Sequence, residues 1–262
     1  FSTRAIEETI DAAYAIASQS SDDPHAGLID PEYLAGDIPD LELNNQWDIS
    51  PKIAIEIAKE CEEAARQSDT KIKNSEGATV QTYSGSHYHG NSHGFIGGWE
   101  WTTHTIDCNV IAEHNQKMQR DGWYTRSRSP ENLEDNKTVG EKAASRALKR
   151  LGSRKIMTQN TPVIFEAQVA TSLFGSFINA ISGSAQYRKS TFLLNKKDEV
   201  IFPDHINIDE RPHIKKAIGS SPFDSDGMAT MITMDDSGTP MKQQQPMKKL
   251  LLEPCCFPPR LS

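Results

Sequence analysis

The chain is short of most things that announce a function. Its 262 residues hold only four cysteines, and none of their spacings suggests a zinc ribbon or a disulfide framework. Cys61 and Cys108 stand alone and Cys255 and Cys256 are adjacent, so a reducing, cytoplasmic setting is the expectation. Aromatic residues make up 7% and hydrophobic residues 36%, and the net charge is -8, which together describe a soluble, mildly acidic protein. Basic residues cluster only at Arg146, Lys149, Arg150, Arg154 and Lys155. That run reads as the solvated C-terminal half of a helix, where cations suit the helix dipole, and not as a phosphate-binding surface. Nucleic acid is therefore not an expected partner. There is no glycine-rich loop of phosphate-binding spacing, no Gly-x-Ser-x-Gly elbow, no internal repeat and no signal-peptide pattern.

One long apolar run is present, Pro162–Gly183. It opens like a short strand at Val163-Ile164-Phe165 and continues as a helix, with Val169, Leu173, Phe177 and Ile181 at steps of four. The internal Glu166, Gln168 and Gly175 argue against a membrane span, so the expectation is an element buried in the core. A carboxylate at Glu166 invites two readings: a catalytic base or ligand, or a cap on the helix that starts beside it.

Elsewhere the pattern is helical at both ends of the first half and period-two between. Residues 4–18 have Ile6, Ile10, Ala13, Tyr14 and Ala17 on one face. Residues 20–47 are rich in Asp, Pro and Gly and read as a linker or wrapping segment. Ser50-Pro51 is a helix start for a stripe of Ile53, Ile57, Cys61 and Ala65. From Thr70 to Arg128 the alternation predicts an antiparallel meander of four or five strands. Thr138 and Glu141 have capping-box spacing ahead of Ala143, Ala147, Leu148 and Leu151, with Gly152 placed to end the helix. A hairpin is expected at Ser190–Leu194 against Val200–Phe202, and a short helical piece around His213–Ile218. The fold class expected is α+β: an antiparallel meander with flanking helices, then the start of a second mixed α/β domain. The expected division is 1–46 for the remainder of an N-terminal domain and a linker, 47–155 for a central domain, 156–230 for the start of a C-terminal domain, and 231–262 for a tail of no consistent period.

The residues that could carry chemistry are few. His87 and His89 are two apart and would share a strand face, with His93 across a Gly-Asn turn. Neutral imidazoles are good zinc ligands, but no Cys, Asp or Glu lies beside them, so the polar end of a hairpin is the plainer reading.

Several ordered motifs resemble a known family. The run from Thr161 to Gly175, the segment Ile181–Leu194 with Tyr187-Arg188-Lys189-Ser190 inside it, Ser221–Gly227, Asn91–Gly94 and Val110–Glu113 are similar to the PmbA/TldE-type subunits of the TldD/PmbA metallopeptidases, proteins once labelled modulators of DNA gyrase. The resemblance runs from residue 1 to about 230; members are longer, so the chain reads as truncated. It implies a cytoplasmic two-subunit peptidase acting on flexible peptides, a microcin precursor and an antitoxin among them. The TldD subunit carries zinc on a His-Glu-x-x-x-His segment. The matching positions here are Phe165, Glu166 and Ala170, so both ligand histidines are absent. The resemblance thus implies a partner subunit that binds no zinc itself and pairs with a TldD-like chain. The alternative is a stand-alone module binding metal or a protein through His87, His89 and His93.

Overall fold

The computed structural model describes residues 2–21, 27–196, 199–203, 205–206, 208, 211–224, 227, 232–234 and 240–242. Helix α1 (Thr3–Gln19) starts at Ser2, whose hydroxyl accepts the Ala5 N–H, and buries none of its residues. Helix α2 (Pro51–Gln67) begins where Ser50-Pro51 predicts: the Ser50 hydroxyl accepts the Ile53 N–H and Pro51 occupies the first turn, where no N–H is needed. Helix α3 (Asn136–Lys149) starts earlier than the Thr138–Glu141 spacing predicts. Asp135 caps it, accepting from Lys137 and Thr138 N–H, because its carboxylate reaches two free donors where a hydroxyl at 138 would sit one turn too late. Gly152, at φ 76°, follows its end in the left-handed region.

Between these helices lies one three-stranded antiparallel sheet in the order β1 (Ile72–Gly90), β2 (Ile96–His114), β3 (Lys117–Ser127). The expected four or five strands are three long ones. The Asn74–Gly77 segment does not turn the chain; register shifts between Ile72 and Asn74 and between Ser75 and Gly77 absorb the extra residues as bulges, with Gly77 at φ 105°. The β2–β3 connection is a tight two-residue turn, Asn115 and Gln116 at φ 51° and 61°, the conformation that matches the strands' twist. At the other end, Asn91 holds the β1–β2 turn: its side-chain oxygen accepts from the N–H of His93 and of Phe95.

Helices α2 and α3 cover one face of the sheet. Cys61, Ala65, Val139, Ala143, Ala144 and Ala147 pack on Ile106, Cys108, Val110 and Ala112, with Trp47, Val80 and Trp123 at the margin. The two helices meet closely because their contact is made of small residues: a Cβ at Gly140 would lie 2.0 Å from the Cys61 carbonyl oxygen. Cys61 and Cys108 are buried and face each other there; the hydrogen bond with Cys108, and then burial, push the Cys61 thiol up.

The far half of β2 has a different neighbour. The segment 41–45 lies beside it: the Thr102 N–H donates to Leu43 O at 3.0 Å, and the Thr102 hydroxyl accepts the Asn45 N–H at 2.9 Å while donating to Arg128 O at 2.8 Å. His104 is fully buried, its Nε2–H donating to Asn45 O at 2.8 Å and its Nδ1 accepting from the Thr82 hydroxyl at 2.7 Å. Arg128 ties the later chain to this layer, donating to Thr102 O and Ile218 O. Of the two readings of residues 20–47, linker or wrapping segment, 41–45 follows the second and forms a strap along the sheet, held because an exposed strand flank leaves backbone groups to be paired.

Helix α4 (Ala167–Ile181) and the short α5 (Gly183–Tyr187) follow. Here the sequence reading is corrected. Residues 163–165 form no strand; Val163 and Ile164 are exposed, Ile164 by 97%. Only Phe177 and Ala180 of α4 are buried, against Leu193 with Ile201, Phe202 and Ile208 at the edge. Val169, Leu173 and Ile178 are about half exposed, at 50–52%. An apolar stripe records a need for cover, and the described residues cover one end of it. Ser190–Leu194 and Val200–Phe202 are turns and irregular backbone, and residues 213–218 are turns; neither the expected hairpin nor the expected helical piece forms among the described residues. Of the tail, two short strands pair, β4 (Ile232–Met234) and β5 (Pro240–Lys242); the rest lies outside the described residues, Cys255 and Cys256 included.

Candidate functional site

Phe165, Glu166 and Ala170, the positions that the resemblance matches to a zinc motif, lie at the entry to α4. Phe165 precedes the helix and is 49% exposed, Glu166 is its N-cap residue, and Ala170 lies in the first turn. Glu166 caps only with its backbone: its carbonyl accepts from Val169 and Ala170 N–H at 2.9 Å, while its side chain makes no capping bond. The carboxylate instead accepts from Arg146 Nη1 at 3.1 Å. That corrects the side-chain cap expected from sequence. Arg146 pulls the carboxylate away from the helix end because it sits on α3, already anchored to Asp121 of β3 at 3.3 Å.

Asp121 is the centre of this charged patch. It accepts from Gly122 N–H, Arg146 and Arg150. Burial acts to raise its pKa, but those three donors together outweigh it and hold the carboxyl below its ordinary value. Arg146 and Lys142 also lie over the Trp123 ring, at 5.5 and 5.0 Å, and the Trp123 indole N–H reaches Glu134 at 3.3 Å. Two of the five residues of the basic run, Arg146 and Arg150, are therefore engaged in pairing with acids of the sheet and of the entry to α4, not simply solvated.

For zinc the donor set does not fit. Phe165 and Ala170 offer no lone pair, and Glu166 is an exposed carboxylate already paired with a guanidinium. No step of hydrolysis can be built on these three residues.

The histidines divide. His87 and His89 do share a face of β1, opposite Trp99 and Gly97 of β2. They turn into an aromatic cluster: His87 is 4.3 Å from Trp99 and 5.9 Å from Phe223, and His89 is 5.9 Å from Phe95, centroid to centroid. Both Nε2 atoms are buried without a hydrogen-bond partner. His93 goes elsewhere, onto the turn, with Nδ1 bonded to Ile29 O at 3.1 Å. Among the described residues no three His, Cys, Asp or Glu side chains gather as a metal-holding group.

A feature the sequence reading missed is a groove of about 640 Å³ between segment 38–45 and the β1–β2 hairpin, bounded by Asp40, Glu42, Tyr88, Glu100 and Pro222 among others. Glu42 is in the left-handed region at φ 52°, and its carboxylate pairs with Lys215 and Lys216. The Lys215 ammonium bonded to it holds its pKa below the ordinary value. The signal available in sequence was the alternation of acids with apolar residues in Ile38-Pro-Asp-Leu-Glu-Leu, but only the fold brings Tyr88 and Glu100 opposite it.

The architecture places the chain in a class first. A long three-stranded sheet backed by two helices, followed by a helical segment with turns, superposes on a solved structure from Bacteroides thetaiotaomicron described as a modulator of DNA gyrase, with a TM-score of 0.80 and 28% identity over 87% of this chain and 53% of that one. TldE from Thermococcus kodakarensis shares the fold, with a TM-score of 0.60 over 92% of this chain and 51% of that one, at 20% identity. The chain belongs to the PmbA/TldA metallopeptidase family: residues 44–151 match the model of its central domain and residues 158–234 that of its C-terminal domain. It is 45% identical over 229 residues to metalloprotease PmbA of Escherichia coli O157:H7 and 40% identical over 229 residues to a PmbA homolog of Haemophilus influenzae. Each match takes in 87% of this chain and 51% of the relative, so the chain spans about half the length of the curated relatives it matches.

Proposed function

We propose that this chain is the PmbA/TldE-type subunit of a two-subunit metalloprotease in the cytoplasm, one that binds no zinc and works beside a TldD-like, zinc-carrying partner. The observation that carries this is the trio Phe165, Glu166 and Ala170, where two ligand positions are filled by side chains without donors and the remaining acid is held by Arg146. Its substrates are flexible peptides, of the microcin-precursor and antitoxin kind. Its part is to build the partner's surroundings and to present peptide. The outer edge of β1 suits that part: the strand runs for 19 residues, pairs on one side with β2, and among the described residues leaves its other row of N–H and C=O groups for an added strand. The reading of a stand-alone metal module loses support from the inward packing of His87 and His89 and the separate bonding of His93.

The test is co-expression with a TldD-like subunit, recovery of the pair on a tag carried by this chain, and cleavage of an unstructured peptide. Cleavage by the pair, abolished by a chelator and absent for this chain alone, is the expected result. Chelator-sensitive cleavage by this chain alone overturns the reading.

A further inference from the structure

The groove between segment 38–45 and the β1–β2 hairpin has a chemistry of its own. Among the described residues three carboxylates border it, Asp40, Glu42 and Glu100, and no lysine or arginine lines it. Glu42 is already neutralised by Lys215 and Lys216. The other two form no ion pair among the described residues: Asp40, in the field of Lys215, accepts the Glu42 N–H at 2.9 Å, and Glu100 accepts from the Asn44 amide at 2.8 Å. Beside them stands an aromatic face. Tyr88 is 72% exposed, and the register pairs it with Gly98 and Ser86 with Glu100, so Tyr88 and Glu100 are diagonal neighbours on one side of the sheet. Gly98 is what lets the ring lie there, since a Cβ at that position would be 2.2 Å from Tyr88 Cδ1. A ring face with two unpaired carboxylates at a half-open groove is an environment for an ammonium or guanidinium group, through cation–π attraction and charge-assisted hydrogen bonds.

We propose that this groove docks lysine- or arginine-bearing stretches of extended peptides. The proposal rests on the peptide-handling reading above and adds the substrate class: the groove selects positive side chains, and so biases which flexible peptides are held against this subunit. Charge complementarity selects the occupant. An acidic peptide would be repelled by Asp40 and Glu100, and a neutral one would gain only the tyrosine face.

The experiment is fluorescence anisotropy of the full chain, without a partner subunit, against labelled unstructured peptides of equal length that are lysine-rich, neutral or glutamate-rich. The lysine-rich peptide is expected to bind about tenfold more tightly than the glutamate-rich one, a difference of the size that a few rim charges supply. Asp40→Asn combined with Glu100→Gln should weaken it by about tenfold. The control pair Glu56→Gln with Glu131→Gln removes the same charge from exposed positions outside the groove and should leave binding unchanged. Tyr88→Ala, at a surface position, tests the aromatic arm independently of the carboxylates and should weaken basic-peptide binding severalfold. Equal binding of the three peptides overturns the proposal. So does an equal loss in the control pair, which would make the preference a property of the overall charge of -8. A chain that assembles an active peptidase but shows no preference for basic peptide removes this inference alone. One that prefers basic peptide but assembles with no TldD-like subunit removes the functional reading alone.

Discussion

Helices α2/α3 and helix α4 carry apolar stripes of the same kind and meet opposite fates. On the first pair the stripe is closed: Cys61, Ala65, Val139, Ala143 and Ala147 are fully buried against β2. On α4 the stripe is richer in large residues, yet Leu173 and Ile178 stay half exposed while Phe177 and Ala180 alone are buried. The difference is a matter of partners, not of propensity. The small residues of α2 and α3 let two helices and a sheet come together, whereas among the described residues α4 has only a looped segment over one end. Periodicity in a sequence tells which face seeks cover and leaves open what covers it.

The sharpest way to break this comparison is at the α2–α3 contact. Gly140→Ala puts a methyl 2.0 Å from the Cys61 carbonyl oxygen and 3.0 Å from Ala65 N, both backbone atoms of a helix that cannot swing aside. It should cost about 3 kcal/mol, read from the urea midpoint, despite alanine's better helix propensity. Val110→Ala, in the centre of the same core, should cost about 2 kcal/mol. The matched change on α4, Leu173→Ala, should cost about 0.5 kcal/mol or less. Leu173→Lys with Ile178→Lys should leave the melting temperature in place and reduce light scattering, since it removes exposed apolar surface. A large destabilisation by these α4 changes would show that the stripe is covered and would end the contrast.

The charged patch between the regions gives smaller effects. Asp121 has a depressed carboxyl pKa when folded, so its contribution to stability is present above the ordinary carboxylate value and is lost as pH falls through the folded value. Asp121→Asn should therefore cost about 1–2 kcal/mol at neutral pH, and the gap from the unmodified chain should close in denaturation curves taken at acid pH. A gap that stays constant with pH would assign the loss to packing. Smallest of all, Glu166→Gln should change stability by less than about 0.5 kcal/mol, because its pair with Arg146 is 60% exposed on the glutamate side. The same change should leave peptide cleavage by the assembled pair intact if Glu166 has no part in catalysis.

Much of the architecture was legible in the residues. Ser50-Pro51 marked a helix start by the chemistry of capping, the alternation at 99–110 marked strands, and Gly152 marked a stop. At the entry to α4 the residues themselves say only that Phe165 and Ala170 carry no metal-donor atom. What was not legible depended on distant neighbours. The Asn74–Gly77 cluster reads as a turn because bulges and turns use the same residues, and only pairing with β2 distinguishes them. Glu166 reads as a cap because the helix end is adjacent in sequence, while Arg146 is 20 residues away. His87 and His89 read as the polar end of a hairpin, with a ligand pair as the alternative, because period two puts them together among polar residues, but Trp99 and Phe223 decide that they point into an aromatic cluster.

By itself the sequence determined the secondary elements whose signals are local, namely helix caps and strand alternation, since each depends on residues a few positions apart. Only the tertiary structure decided which apolar faces are closed, where the Glu166 carboxylate goes, and that Asp40, Tyr88 and Glu100 border one groove. Those outcomes depend on contacts between residues separated by tens of positions, whose geometry is set by the register of β1 on β2 and by the strap at 41–45.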